Sequence, residues 1–558
     1  MQADVPTVVP AAALTTELPL SWRLGGLAAH ELLPHLLASL TGEANSRHQP
    51  PQACWLNNDG NPVIGILPKV AWQVYPTGLT RADANPEATN KAQEFNDREQ
   101  ANKDVAITVA RTTRATEGLL DPFSLGNNHC YDTTYREWIE ELIVYSQRYE
   151  QSQVADSKAV SNATKPANGN QYQHGLIGFI GYDIAAGQLS PQQGIRLAEQ
   201  PSTYLGHYDI YLKPCADGWQ LTIDPTAQDL LSSAYCDMLI TKLTQLDQQL
   251  AIYAAAIPPL PPLLLTSSWD YGQYKTAFAK TQNYLYEGDS YQINLTQPWQ
   301  GQLTPITQID GERKPAKLLN YLPALHNNTG APFAGYIGLA DFELLSCSPE
   351  LFLVFASSAD GSNQIRTKPI KGTRPRGHNA SSDQALRDEL AASDKDRAEN
   401  VMIVDLLRND LGKYAQTGSV KVPKLFAIES FSNVHHLVST ITATIKEDVS
   451  TLSVLFGSLP AGSITGTPKK RAVEIIAELE VAPRGAYCGT LGYMNFDGSG
   501  QWNVLIRTLQ ANRDGQVSLW AGGGITVGSD CAAEYQECVD KVGNLLGVLA
   551  KSEDKRLL

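Results

Sequence analysis

The sequence lacks the features that mark secreted, membrane-spanning and nucleic-acid-binding proteins. Its 8 cysteines include no Cys-x-x-Cys pair, which argues against a zinc site and against a disulfide framework. No apolar run approaches the roughly 20 residues that a membrane-spanning helix needs, and no basic segment with an apolar core opens the chain. No block of lysine and arginine offsets the formal net charge of −14, so we expect no nucleic-acid partner. These absences predict a cytoplasmic protein without a membrane partner.

The features that are present are typical of a large globular protein. The chain has 558 residues, of which 42% are hydrophobic and 18% charged, enough for several domains or one two-lobed unit. A proline-rich stretch predicts a linker at 258–267, between an N-terminal lobe at 1–257 and a second domain at 268–550. Residues 81–104 and 151–171 are polar and poor in large apolar groups, which predicts exposed insertions in the first lobe.

Local patterns predict both helices and strands. Apolar residues at helical spacing favour a helix at 135–149, and a glycine-punctuated apolar run favours a strand at 175–182, where neighbouring backbones approach closely. Ser393, with an acid three residues later, is typical of a helix N-terminus and predicts a helix at 393–411. A further helix is expected at 530–549.

One lysine stands out by its position. The segment 365–377 places Lys371 in a turn punctuated by proline and glycine, after a strand-like run and with Arg374 and Arg376 downstream. Loops held by a rigid scaffold are where reactive groups are often placed. A lysine on a loop is nevertheless more commonly solvated and without a chemical role, and the segment alone leaves both interpretations open.

Two acidic pairs have helical spacing. Asp396 and Glu399 lie three residues apart on a predicted helix, and Glu534 and Glu537 repeat that spacing near the C-terminus. One interpretation is two solvated faces, with a salt bridge from Glu537 to Lys541. The other is a pair of acidic ridges around a hard divalent cation such as Mg²⁺, which prefers carboxylate oxygens and water.

Further segments suit an anionic ligand. The glycine-rich stretch 461–469 departs from the Walker pattern, yet its backbone N–H groups can still bind a carboxylate, as can those of 521–525. Arg507, pointing off a predicted strand, can form a two-pronged contact with a carboxylate. The neighbouring His435 and His436 are more often packing residues than functional ones.

The order and spacing of these segments resemble one family. The shared segments are Glu-Gly-Asp-Ser-Tyr-Gln-Ile-Asn-Leu (287–295), Ser-Pro-Glu (348–350), Pro-Ile-Lys-Gly-Thr-Arg-Pro-Arg-Gly (369–377), and those at 396–410, 434–439, 461–472, 521–525 and 534–537. Over residues 268–548 the chain is similar to the chorismate-utilising enzymes, which include anthranilate synthase component I, aminodeoxychorismate synthase component I and the isochorismate and salicylate synthases. The first lobe matches more loosely, chiefly at 178–183.

The resemblance implies a fold and an activity. The expected fold is α/β (α+β), with two interleaved lobes, antiparallel sheets packed against each other and helices outside, as in anthranilate synthase component I. At position 371 the anthranilate synthases usually carry alanine. A lysine there is similar to the members that convert chorismate and ammonia to 4-amino-4-deoxychorismate, in p-aminobenzoate and folate biosynthesis. The water-activating lysine of isochorismate-type members falls at Gln292, which cannot act as that base.

The resemblance also implies roles for single residues. Lys371 would form a covalent adduct with chorismate, Glu350 would protonate the departing C4 hydroxyl, and His436 would orient a group or relay a proton. A second group of residues would contact the substrate: Gly372, Thr373, Ser463, Tyr487, Arg507, Gly523 and Lys541.

A cofactor and a partner follow from the same resemblance. Glu399 and Glu537 would bind Mg²⁺, with Asp396 and Glu534 near its water ligands. No cysteine lies in a Gly-x-Cys-x-Gly elbow, so ammonia would come from a separate glutamine amidotransferase subunit in a heterodimer. The nearest alternative function is that of anthranilate synthase component I. The alternative of another class is a non-catalytic subunit that binds chorismate or tryptophan.

Overall fold

The computed structural model of the protein describes residues 20–40, 52–77, 104–114, 125–159, 171–224, 233–252, 260–307, 313–357, 362–430 and 434–551. Within these ranges the chain forms two large antiparallel sheets, a small two-stranded sheet and eleven α-helices. The insertion predicted at 81–104 lies outside the described residues except for its last position. Of the insertion predicted at 151–171, residues 151–159 continue a helix, and 160–170 lie outside the described residues.

The first large sheet has twelve strands, here numbered in chain order. They are β1 (Ser21–Trp22), β2 (Ala53–Leu56), β3 (Val63–Ile66), β9 (Ile210–Cys215), β10 (Gly218–Ile223), β11 (Thr266–Ser267), β12 (Gln292–Gln302), β15 (Gly335–Gly338), β16 (Phe342–Ser346), β22 (Gly466–Thr467), β25 (Thr508–Asn512) and β26 (Gln516–Ile525). The strand order is β1-β10-β9-β3-β2-β15-β16-β25-β26-β12-β11, and β22 also pairs with β12.

The second large sheet also has twelve strands. They are β4 (Val70–Pro76), β5 (Ala106–Arg114), β6 (Leu125–Thr134), β7 (Gly175–Ile180), β8 (Thr203–Tyr208), β17 (Leu351–Ser357), β18 (Asn363–Thr367), β19 (Ile370–Pro375), β20 (Lys421–Ser430), β21 (Val434–Thr444), β23 (Thr490–Asn495) and β24 (Gly500–Asn503). Their order is β19-β21-β18-β17-β24-β23-β7-β8-β4-β5-β6, with β20 on β21. The small sheet pairs β13 (Ile306–Thr307) with β14 (Arg313–Lys314).

The two halves of the chain meet within both large sheets. In the first sheet β2 pairs with β15, and Trp55 lies opposite Tyr336. In the second sheet β7 pairs with β23 along its whole length, from Gly175 opposite Asn495 to Ile180 opposite Thr490. The interleaved arrangement implied by the resemblance is therefore confirmed. The division into domains at 258–267 stays a prediction.

Apolar side chains join the two sheets face to face. Phe179 of β7 and Ile337 of β15 belong to one buried cluster, and the rings of Phe179 and Phe342 are 5.6 Å apart. Burial of this apolar surface is the main force that holds the layers together. The close backbone approach predicted for the glycines near 178 is confirmed, because a Cβ at Gly178 would lie 1.9 Å from the carbonyl oxygen of Tyr204.

Eleven α-helices accompany the sheets in the described ranges, and several of them begin at a side-chain cap. They are α1 (Ala29–Leu40), α2 (Tyr135–Ala159), α3 (Tyr182–Leu189), α4 (Ser233–Ile252), α5 (Tyr271–Tyr286), α6 (Leu318–Thr329), α7 (Ala380–Ala392), α8 (Asp394–Gly412), α9 (Thr451–Ser458), α10 (Lys469–Leu479) and α11 (Cys531–Leu549). The helix predicted at 393–411 is confirmed as α8, and the Ser393 hydroxyl accepts a hydrogen bond from the backbone N–H of Asp396. The helices predicted at 530–549 and 135–149 are α11 and the first part of α2. No helix in the described ranges combines the length and the apolar character that crossing a bilayer requires.

Candidate active site

Lys371 lies in a strand rather than in a turn. Strand β19 pairs with β21 so that Lys371 is opposite Leu437 and Thr373 is opposite His436, and the register shifts between these two pairs. The intervening Gly372 has a φ of 76°, a conformation that residues with a side chain rarely adopt. The predicted turn is therefore wrong: the glycine produces a bulge within a strand, and such bulges re-aim the neighbouring side chains.

The Lys371 amine faces the acidic start of α8. Its Nζ is 3.7 Å from Oε2 of Glu399, and both side chains are largely shielded from solvent. Three residues further along β19, Arg374 contacts Glu389 at 2.8 Å and Asp396 at 3.4 Å. The strand therefore places two cations against two of the predicted metal-site carboxylates.

Glu350 is the carboxyl best suited to act as an acid. It precedes β17, and although part of its surface is open, burial raises its pKa to about 7. The positive charges of Lys371 and Lys541 oppose this rise most strongly. The Ser463 hydroxyl and the Arg507 guanidinium also oppose the rise in the pKa. A group that is partly protonated near neutral pH meets the main requirement for general acid catalysis.

His436 lies beside the bulge, across from Thr373. Its Nδ1 is 2.9 Å from the Thr373 hydroxyl. Burial lowers the pKa of His436, and the charge of Arg507 lowers it further, so the ring is neutral at neutral pH. Arg507 is exposed, has a φ of 51°, and acts electrostatically on both His436 and Glu350. These three residues therefore surround one space.

The opposite wall of this space is formed by the end of β26 and by α11. The Lys541 ammonium donates a hydrogen bond of 2.8 Å to the carbonyl oxygen of Gly522 and lies 2.6 Å from Oε1 of Glu537. A Cβ at Gly523 would lie only 2.7 Å from Oε2 of Glu534, so the missing side chain lets that carboxylate reach the strand. The wall thus combines a cation, two carboxylates and open backbone.

Two lysines act on both predicted acidic pairs. Lys395 of α8 lies 4.0 Å from Glu399. Its charge opposes the burial that raises the pKa of Glu534, and it adds to the stronger effect of Lys541, which lowers the pKa of Glu537. Lys371 likewise lowers the pKa of Glu537. Sequence reasoning missed Lys395, although its position one helical turn before Glu399 was a usable signal.

Tyr487 and Gln292 are buried beside the site. Tyr487 stacks on Trp520, with ring centroids 5.8 Å apart, so its predicted contact with the substrate stays a prediction. The neighbouring Cys488 lies within electrostatic reach of Glu350, which places this segment near the acid. Among the described residues, neither amide atom of Gln292 has a hydrogen-bond partner, although the side chain is 1% exposed.

Comparisons with known proteins agree with this arrangement. The family described as chorismate binding enzyme matches residues 121–547. The chain belongs to this family. Two relatives are named aminodeoxychorismate synthase component 1. The protein from Escherichia coli strain K12 is 39% identical over 404 residues, or 71% of this chain and 80% of the relative. The protein from Salmonella typhimurium strain LT2 is 39% identical over 380 residues, which are 67% of this chain and 76% of the relative.

A solved structure supports the fold. Anthranilate synthase component I from Streptococcus pneumoniae TIGR4 superposes with a TM-score of 0.62, and the match covers 93% of this chain and 97% of that one. The identity is 20%, so the likeness concerns the fold alone. The fold class implied by the sequence resemblance is thereby confirmed.

The carboxylates of this chorismate-binding enzyme are of the ligand type that a hard divalent cation prefers. Burial raises the pKa of Glu534, and the nearby charge of Glu537 adds to that rise. A cation between them would relieve their repulsion. Among the described residues no three or more His, Cys, Asp or Glu side chains are grouped so as to hold a metal ion. Water and substrate oxygens would therefore complete the coordination, which is usual for Mg²⁺.

Proposed function

We propose that this chain aminates chorismate at C4, converting chorismate and ammonia to 4-amino-4-deoxychorismate. The observation that carries the proposal is that Lys371, a primary amine, lies within electrostatic reach of Glu350, a carboxyl whose pKa burial raises to about 7. An amine nucleophile and a proton donor are the two groups needed to replace a hydroxyl in two steps. The names of the two enterobacterial relatives support the same reaction.

The first step forms a bond to the enzyme. The deprotonated Lys371 amine attacks C2 of chorismate, the two ring double bonds shift, and the C4–oxygen bond breaks. Glu350 gives its proton to that oxygen, which leaves as water. The arrangement supports this assignment because Lys371 lies within electrostatic reach of the Glu350 carboxyl, so the nucleophile and the acid are neighbours.

The second step releases the lysine. Ammonia attacks C4, the double bonds return to their original positions, and the C2–nitrogen bond breaks, with the electron pair going back to Lys371. Neutral His436, near the bulge and Thr373, is suited to accept or relay a proton of the incoming ammonia. One difficult substitution is thereby divided into two easier ones.

The substrate carries two carboxylates, and the site offers separate partners for them. Arg507 and the backbone around Gly523 suit the enolpyruvyl carboxylate, and Lys541 lies between that backbone and Glu537. Mg²⁺, held by Glu399 and Glu537 with Asp396 and Glu534 nearby, would neutralise and orient the ring carboxylate.

The ammonia for this reaction requires a source, and no motif of this chain indicates that the chain releases ammonia from glutamine itself. The chain has no Gly-x-Cys-x-Gly elbow, and the relatives are named component 1, a name that implies a second component. We therefore assign the supply of ammonia to a separate glutamine amidotransferase subunit in a heterodimer. The reaction then serves p-aminobenzoate and folate synthesis in the cytoplasm.

Product identification tests the proposal. The purified chain is incubated with chorismate, Mg²⁺ and an ammonium salt, and the products are separated and identified by mass. We expect 4-amino-4-deoxychorismate, with the enolpyruvyl group retained. Anthranilate with release of pyruvate would instead establish the anthranilate synthase reaction. Binding of chorismate without turnover, with or without an added amidotransferase, would establish the non-catalytic alternative.

A further inference from the structure

The turn that carries Ser463 is fixed by a buried lysine. This segment, residues 459–468 and here called the Ser463 turn, connects α9 to α10. The Ser463 hydroxyl lies near enough to the Glu350 carboxyl to oppose the rise that burial causes in the pKa of Glu350. At the end of the turn, Lys469 begins α10 and points back to α8, where its Nζ lies 2.6 Å from Oδ2 of Asp410.

The Lys469 ammonium joins three helices. Besides its contact with Asp410 on α8, it donates a hydrogen bond of 3.0 Å to the carbonyl oxygen of Ser458, the last residue of α9. The side chains of Lys469 and Asp410 are 11% and 7% exposed, so the pair is almost completely removed from solvent. Such a pair is rigid in geometry but weak as a source of stability, because desolvation offsets most of the attraction.

A second contact presses the same turn onto α8. A Cβ at Gly462 would lie 2.3 Å from Cδ2 of Leu406, so only a glycine lets the turn approach this closely. Leu406 and Asp410 are four residues apart and share one face of α8. The Ser463 turn therefore rests on α8 at two successive turns of the helix that carries Asp396 and Glu399.

Charge neutralisation does not explain Lys469. Asp410 already has a second partner, Lys413, whose Nζ lies 3.0 Å from Oδ1 and whose side chain is 56% exposed. An exposed lysine suffices to balance the carboxylate, whereas burying a second ammonium is costly. The additional contribution of Lys469 is geometric, because it alone of the two lysines belongs to the segment adjoining Ser463.

We propose that Lys469 is a positioning residue for the acid: through Asp410 it fixes the Ser463 turn on α8 and so holds the Ser463 hydroxyl against Glu350. The inference rests on the proposed function in one respect, since it takes Glu350 as the proton donor. The opposite edge of the turn is independently anchored on β12, where Asn294 bonds to Ile464 and Thr465. Loss of Lys469 should therefore shift the turn without unfolding it.

The test compares Lys469→Met with Ser463→Ala and their combination. Since the Ser463 hydroxyl lowers the pKa of Glu350, both single variants should move the high-pH limb of the kcat profile to higher pH. The other charges facing Glu350, on Lys371, Lys541 and Arg507, stay in place in both variants. We expect Lys469→Met to lower kcat by up to about 100-fold, as displaced catalytic groups do. The combined variant should be no worse than the more damaging single variant.

Lys413→Met is the matched control, since it removes the exposed partner of the same carboxylate. Lys413→Met should keep the wild-type kcat and the wild-type position of the high-pH limb of the kcat profile. A second variant, with Asp410→Leu and Lys469→Met together, replaces the buried pair with apolar groups and avoids an unbalanced charge. It should show the same shifted limb. A wild-type limb in either Lys469 variant, or additive effects of Lys469→Met and Ser463→Ala, would overturn the proposal.

Infrared titration separates this proposal from the proposed function. The C=O band of protonated Glu350, identified by its loss in Glu350→Gln, is followed against pH without chorismate. We expect its midpoint to rise in Lys469→Met and Ser463→Ala alike. If that occurs while the wild-type chain fails to aminate chorismate, the positioning role stands and the proposed function fails. If amination occurs but neither midpoint nor kcat limb moves in Lys469→Met, the positioning role alone fails.

Discussion

At the scale of single residues, the protonation of one carboxyl sets the pH range in which the enzyme works. Glu350 has a pKa of about 7, raised by burial, and it must carry its proton to act as the acid. We predict that kcat falls as the pH rises through about 7. Glu350→Gln should lower kcat by about 10²- to 10⁴-fold, the usual contribution of a general acid. Steady-state kinetics between pH 5.5 and 9, spanning the value of about 7, measure both.

Glu343 provides the control for this prediction. It is another glutamate whose pKa is raised by burial, but it accepts hydrogen bonds from the backbone N–H groups of Leu318 and Leu319, away from the cleft. On folded protein, Glu343→Gln should retain the wild-type pH limb. If the fall of kcat at high pH persisted in Glu350→Gln, it would show that another group donates the proton.

The acidic pairs make a second prediction at this scale. Because Glu399 supplies one carboxylate to the proposed Mg²⁺ site, Glu399→Gln should raise the Mg²⁺ concentration needed for half-maximal rate by at least about tenfold. Removal of Mg²⁺ with a chelator should abolish turnover in the wild type. Asp405→Asn is the matched control, since Asp405 lies on the same helix but is exposed and paired with Arg408. Equal Mg²⁺ dependence in the two variants would contradict the assignment.

Single-residue identities were predictable from the sequence, but their partners were not. The i, i+3 spacing of Glu534 and Glu537 indicates one helical face, and that face does point toward α8. The contact between Asp410 and Lys469 joins residues almost 60 positions apart in the chain and leaves no local pattern. Only the assembled fold shows that the two belong together.

At the scale of the element, the bulge in β19 decides the direction of Lys371. Gly372 has a φ of 76°, and a Cβ there would lie 2.8 Å from Cγ of Asp396. We predict that Gly372→Ala lowers the free energy of unfolding by about 1–2 kcal/mol, the cost of a left-handed residue with a side chain. Because the bulge carries Lys371, kcat should also fall by more than about tenfold. Thermal unfolding and kinetics measure the two effects.

Gly543→Ala separates the bulge from a general effect of removing glycine. Gly543 lies in α11 with open space around its Cβ position, so alanine should stabilise the protein by about 0.5–1 kcal/mol without changing kcat. If Gly372→Ala behaved like this control, the bulge would have no role in placing the lysine.

The same strand shows where element prediction fails. Proline and glycine around Lys371 mark either a turn or a bulge, and local sequence does not distinguish them. The pairing of β19 with β21 decides in favour of the bulge, and that pairing spans more than 60 residues. Helices α8 and α11 were predicted more accurately because a cap and a repeating apolar face are local signals.

At the scale of the whole molecule, a buried chain of polar groups links the layers. His174 contacts Asp224 at 3.2 Å and His207 at 2.7 Å, and His207 in turn contacts the Tyr145 hydroxyl at 2.7 Å. Burial lowers the pKa of both histidines. Both are therefore neutral at neutral pH in the folded protein, and of their two facing Nε2 atoms one donates and the other accepts the hydrogen bond.

The two buried histidines, His174 and His207, predict a loss of stability in acid. An unfolded histidine has a pKa of about 6.5, above the folded values, so the unfolded state binds more protons below that pH. The free energy of unfolding should thus fall as the pH drops below about 6.5, by up to about 1.4 kcal/mol per pH unit for each histidine. Denaturant unfolding at several pH values measures this slope. His378→Gln, at an exposed position, should keep the slope, and an unchanged slope in His207→Leu would contradict the explanation.

The most direct test of the account is a search for the covalent adduct on Lys371. The wild-type chain, quenched in acid during turnover of chorismate, is analysed by intact mass and by peptide mapping. The control is Lys368→Ala, since Lys368 belongs to the same segment but pairs with Glu429 at 2.7 Å. We predict a mass increase of chorismate less water on the Lys371 peptide in both proteins, and loss of the adduct and most activity in Lys371→Ala. An alanine variant with the wild-type rate and product would contradict the central claim.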